Sequence, residues 1–133
     1  MVQKRFINPE GLFRPGAYTP AVVAQGGRLI YVSGQVPQDE KGEIVGRGDL
    51  LAQAEQVYRN VEIALKAAGA SFNDVVKLNI YVVNYRVEYR DLLHQVRARY
   101  VSKETPPAST MVGVQALARE GYLIEVEAIA VAD

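Results

Sequence analysis

Two acids interrupt what is otherwise the most apolar run in the chain. Tyr122 to Val131 reads YLIEVEAIAV, with Glu125 and Glu127 two residues apart. In an extended chain that spacing puts both on one face. A carboxylate on a half-dry surface can hold a water and accept its proton, which is the work of a general base. The same acids could be solvated, or paired with Lys77 and the arginines, as most carboxylates are. The residues alone leave both readings open. Ser33 in VSGQ, Tyr18 in PGAYTP, and Ser109 and Thr110 after Pro106-Pro107 are neutral hydrogen-bonding groups suited to a small polar pocket. The chain has no cysteine and one histidine, His94. Thiolate chemistry, disulfides, cysteine zinc sites and multi-histidine metal sites are therefore excluded. His94 reads as a helix-surface or interface residue with no triad partner. No GxxxxGK[ST] or GxGxxG phosphate loop occurs.

The elements that position these groups follow from periodicity. Val2 to Ile7 suits an edge strand, and Pro9 to Pro20 a Gly- and Pro-rich surface loop presenting Phe13, Arg14 and Tyr18. Ala21 to Gln35 reads as a hairpin about Gly26-Gly27, with Leu29, Tyr31 and Ser33 on one face of its second arm. Asp49 is the expected N-cap of an amphipathic helix carrying Leu50, Ala54, Val57, Tyr58, Val61 and Leu65 inward and stopping at Gly69. Asp74 to Val83 is a strand with Val76, Leu78, Ile80 and Val82 on one face. A second helix spans roughly Val87 to Val101, with Tyr89, Leu92, Leu93, Val96 and Tyr100 as its buried stripe and Arg90, Asp91, Arg97 and Arg99 toward solvent. The interleaved acids make those arginines a solvated helix face, not an RNA-binding stripe. Two more strands complete an α+β domain with a sheet and two helices on one face. In the last strand Ile124 to Ala130 supplies the helix-packing set. Glu125 and Glu127 then face the other way among Leu123, Ile129 and Val131. That face is too apolar for open solvent and too acidic for a dry core, so it is expected to meet another subunit.

The bounds are those of one soluble domain over residues 1–133. The chain carries 15 Lys+Arg and 15 Asp+Glu, and this zero balance argues against nucleic acid or an anionic membrane as the main partner. No run approaches a membrane span, and no secretory signal is evident, so the expected location is the cytoplasm.

Taken together, VSGQVP (Val32 to Pro37), AAGASFNDVVK (Ala67 to Lys77), NIYV, and PPAST followed by IEVEAIAV resemble the RidA/YjgF family. That family is also described as enamine/imine deaminases or, in older usage, L-PSP endoribonucleases. The resemblance covers nearly the whole chain. It implies a chorismate-mutase-like α+β fold, with a mixed sheet, assembled as a homotrimer around a central barrel with clefts between subunits. It also implies hydrolysis of a small enamine or imine metabolite without metal or organic cofactor. Carried over by motif, Glu125 matches the glutamate that positions the attacking water, Ser33 the pocket serine and Tyr18 the loop tyrosine. The family's substrate-clamping arginine has no match: Ser109 stands in its place, with Thr110 next. Arg14 is the loop candidate for a substitute clamp, and Arg86 and Arg90 are others. The departure keeps in view a small-molecule-binding trimer without turnover, and the family's older description keeps an RNA-directed activity as a second alternative.

Overall fold

The computed structural model describes all 133 residues. In order they form β1 (Gln3–Ile7), β2 (Ala21–Gln25), β3 (Arg28–Gln35), α1 (Leu50–Ala67), β4 (Val75–Val83), α2 (Tyr89–Arg97), β5 (Ala108–Val114) and β6 (Ile124–Ala132). The main sheet has the order β3-β6-β4-β5. β6 runs antiparallel to both its neighbours, and β4 and β5 are parallel. A parallel pair needs a crossover, and the segment containing α2 supplies it. The strand with the two acids is thus interior to the sheet.

Local chemistry sets α1. The Asp49 carboxylate accepts the Ala52 N–H at 3.1 Å, satisfying one of the free donors of the first turn. At the other end Gly69 takes φ +76°. Its N–H donates to Lys66 O and the Ala70 N–H to Leu65 O, the paired closure that a left-handed residue makes possible. Between the caps Ala54, Val57, Tyr58, Val61 and Leu65 are buried against β6 and β3. Across from them lie Ile124, Val126, Ala128 and Ala130 of β6 and Leu78, Ile80 and Val82 of β4. Tyr58, Phe72 and Tyr100 close the outer end, with ring centroids 5.2 to 6.1 Å apart.

Three expectations need correction. The expected hairpin does not form, although both its arms are strands. β2 pairs with β1, from Gln3↔Gln25 to Ile7↔Ala21, whereas β3 pairs with β6. β3 finds its better partner far away, because Ile30 and Val32 align with Ala130 and Ala128 under α1. Gly26-Gly27 is then a passage between sheets, closely packed on both chain ends. A Cβ on Gly26 would lie 2.5 Å from Met1 O, and one on Gly27 2.5 Å from Ala132 O. In β4 an irregularity between Val75 and Lys77 turns Val75, not Val76, into the core. The second helix is regular only over Tyr89–Arg97. Beyond it the chain continues in turns that bring Tyr100 onto Tyr58 and Phe72.

Candidate functional site

The face of the sheet away from the helices carries the acids. β6 alternates strictly here, so Ile124 and Val126 are buried while Glu125 and Glu127 project oppositely, beside Tyr81 and Asn79 of β4. The Tyr81 hydroxyl donates to Glu127 in a very short hydrogen bond. Lys77 Nζ donates to Thr110 Oγ1 at 3.0 Å on the same face. Ser33 is exposed there too. It sits at a bulge, because Val32 faces Ala128 and Gln35 faces Val126, leaving Ser33 and Gly34 opposite Glu127 alone. The bulge explains Gly34: a Cβ at that position would overlap the Glu125 carboxylate.

Burial raises the Glu125 pKa above the ordinary carboxylate value, and the Glu127 charge adds to the effect. The Tyr81 phenol is raised as well, first by its hydrogen bond to Glu127, then by burial and by the charges of Glu127 and Glu125. Glu125 is therefore a stronger base than a solvated carboxylate, and no carboxylate–cation bridge neutralises it within the chain. It can accept a proton from a bound water.

A cavity of about 460 Å³ opens on the helix side, between the loop before β2, α2 and β5. Tyr18, Ser109 and Thr110 line it. Thr19, which is buried, fixes the loop: its Oγ1 donates to Pro106 O at 2.5 Å and its N–H to Pro107 O at 3.1 Å. That latch holds Tyr18 next to the strand that begins with Ala108 and Ser109. Ser109 faces the cavity because it aligns with buried Leu78 in the parallel pair. Tyr58 lies at the cavity's inner end, where burial pushes its pKa up to about 12 against the opposing pull of Arg97.

Arg97 corrects the reading of the second helix. Expected toward solvent, it lines this cavity, and its Nε and Nη2 are buried with no hydrogen-bond partner in the chain. Burial lowers its pKa. His94 lines the cavity as well, with its pKa lowered by burial and by the charges of Arg97 and Arg90. The sequence did hold a signal for Arg97. It follows Tyr89 and Leu93 at four-residue steps, so it continues their inward row.

The expected site residues therefore divide between two sides of one sheet. Ser33 and Glu125 lie on the uncovered face, and Tyr18 and Ser109 at the helix-side cavity. Thr110, on the edge strand, borders the cavity while its hydroxyl meets Lys77 on the uncovered face. Arg90 lines the cavity. Arg14 and Arg86 are exposed and lie outside its lining. Thr19, Gly34 and Arg97 were not singled out from the sequence as parts of a site.

Known proteins resemble this chain over nearly its full extent. The family model described as Endoribonuclease L-PSP matches residues 13–132. The 3-aminoacrylate deaminase RutC of Acinetobacter baylyi is 36% identical, covering 96% of this chain and 97% of its own. The 2-iminobutanoate/2-iminopropanoate deaminase of Dermatophagoides farinae is 31% identical, covering 98% of each. Among solved structures, the conserved Rid-family protein YyfB from Yersinia pestis superposes with a TM-score of 0.88 at 40% identity, over 97% of this chain and 98% of that one. Sequence and overall shape agree, and the chain belongs to the RidA/YjgF family, the group that the L-PSP family model describes.

Proposed function

We propose that this protein is a cofactor-free hydrolytic deaminase of a reactive enamine or imine, acting in clefts between the subunits of a homotrimer. One observation carries the reading. Glu125, a carboxylate with raised proton affinity, lies on one side of the sheet, and the cavity with Tyr18 and Ser109 lies on the other. A single chain does not bring the halves together, but a neighbour can lay its acid-bearing face against the next subunit's cavity. The names of the two deaminase relatives support the reaction class.

In this mechanism an enamine first tautomerises to its imine. Glu125 holds a water and takes one proton as the water oxygen adds to the C=N carbon. Glu125 passes that proton to the nitrogen, giving a carbinolamine. Glu125 then takes the carbinolamine hydroxyl proton and delivers it to the nitrogen as the C–N bond breaks and the C=O bond forms, so one water is consumed and one ammonia leaves. Ser33, Tyr18, Ser109 and Thr110 orient the substrate. Glu125→Ala is expected to abolish ammonia release from freshly generated imines while light scattering still reports an intact trimer. An unchanged rate in that variant, or no acceleration by the parent protein, would remove the reading.

Ser109 at the family's clamp position favours a second reading, a ligand-binding trimer without turnover. Metabolite-dependent thermal stabilisation with no product would support it. An RNA-directed activity, which the family description names, requires RNA binding that weakens steeply with salt. The zero net charge works against it.

A further inference from the structure

We propose that Arg97 is the anion-binding residue of the helix-side cavity, and that the ligand is a carboxylate bearing a bulky apolar or aromatic group. Naming this ligand as the substrate rests on the deaminase reading; the binding assignment does not.

Charge comes first. Arg90, His94 and Arg97 line the cavity, and no acidic side chain does. The cavity therefore favours an anion. Geometry then singles out Arg97. Its two unpartnered buried donors, Nε and Nη2, form one edge of the guanidinium plane. Two parallel N–H bonds from such an edge match the two oxygens of a carboxylate. Buried charged donors are normally satisfied, so a pair left open beside a cavity calls for a specific partner. Nothing within the chain fills that role. Arg97 makes no salt bridge. Its neighbour Tyr58 holds its proton at neutral pH and offers no phenolate. Binding a carboxylate in the cavity requires the Arg97 side chain to turn so that this buried edge meets it.

Size and lining identify the rest of the ligand. At about 460 Å³ the cavity falls in the range of pockets for drug-sized molecules. A three- or four-carbon acid fills only part of it. Phe13, Tyr18, Tyr58, Leu93 and Met111 surround the remaining space with apolar and aromatic surface. A phenyl or branched alkyl group there removes apolar area from water on both partners. Phe13, largely exposed on the loop, borders the same space.

The test uses unreactive keto acids, so it needs no turnover. Phenylpyruvate, pyruvate and the uncharged phenylacetone are titrated into the whole protein by calorimetry. Phenylpyruvate is expected to bind at least tenfold more tightly than either of the others, and Arg97→Met to weaken it at least tenfold, with Arg97→Lys intermediate. In the unaltered protein, phenylpyruvate is expected to shift the Arg97 Nε–H resonance in ¹⁵N NMR, a readout that stands even where Arg97→Met does not fold. An unshifted resonance, undiminished binding in Arg97→Met, or pyruvate or phenylacetone binding as well as phenylpyruvate would overturn the proposal. Retained phenylpyruvate binding without any ammonia release from imines would sink the deaminase reading and leave Arg97 in place.

Discussion

Glu125 is raised by two causes acting in one direction, burial and the neighbouring Glu127. The effect on stability has a definite sign. With its folded pKa above the unfolded value of about 4.3, the carboxyl contributes favourably below that value. The contribution is lost as pH rises through the folded pKa, where the folded chain must ionise a group its surroundings keep neutral. Glu125→Gln is therefore expected to unfold at a higher temperature than the parent at pH 7, with the difference gone at about pH 4. Melting curves at the two pH values decide it. Catalysis should show the same group as an acid limb in kcat/KM, since only the ionised form accepts a proton. Glu127→Gln removes one of the two causes and should move that limb to lower pH. A limb that stays in place would mean that Glu127 does not act on the group being titrated. At this scale the sequence was informative where chemistry and strand alternation coincide: the face of Glu125 and its separation from Ile124 follow from a period of two. Arg97 was obscured because an arginine on an amphipathic helix is most often solvated, and only its four-residue step from Leu93 placed it inward.

Among the elements, α1 was the most legible, because both caps and the buried stripe are written in local residue types. Its tie to the rest of the fold was not. Gln53 is fully buried in the first turns of α1. Its Nε2 donates to Gly46 O at 3.1 Å and to Gly121 O at 2.9 Å, and its Oε1 accepts from Leu123 N–H at 2.8 Å. One polar side chain thus joins the loop before α1 to the connector that feeds β6. A pattern of apolar positions passes over a glutamine, so the link is invisible until the three backbone groups are seen around it. Gln53→Leu keeps the volume similar but leaves those groups without a partner. It should lower the free energy of unfolding by about 2–4 kcal/mol in urea titrations. A loss under about 0.5 kcal/mol would mean that other partners replace it. The missing hairpin has the same origin. Pairing of β3 with β6 is decided by residues about a hundred positions apart, while Gly26-Gly27 reports only that the backbone turns there.

For the whole molecule, the uncovered sheet face is the main feature. Beside the acids it exposes Leu29 (57%) and Tyr31 (72%) on β3, apolar area that a second copy of this chain would cover. In the proposed trimer Tyr31→Asp puts a charge into that contact and is expected to give monomers by light scattering, along with loss of deaminase activity, since each half of the proposed site then lacks the other. A variant that stays trimeric would place the contact elsewhere. The mixed sheet and two helices could be anticipated from the chain. The sequence also predicted that the acid-bearing face meets another subunit, but not which residues would meet there, because in the proposed trimer they lie on different copies.

The proposed trimer, with its site split across two sides of the sheet, carries one more consequence, in how damaged copies behave together. A Glu125→Ala chain lacks the acid but keeps an intact cavity. A Tyr18→Ala chain lacks the loop tyrosine but keeps an intact acid. Each alone forms only defective junctions. Unfolded together in equal amounts and refolded, they should form mixed rings in which about a quarter of the junctions pair a sound acid face with a sound cavity. Two inactive preparations would thus yield an active one, whereas a site built within one chain would stay silent however the copies were combined.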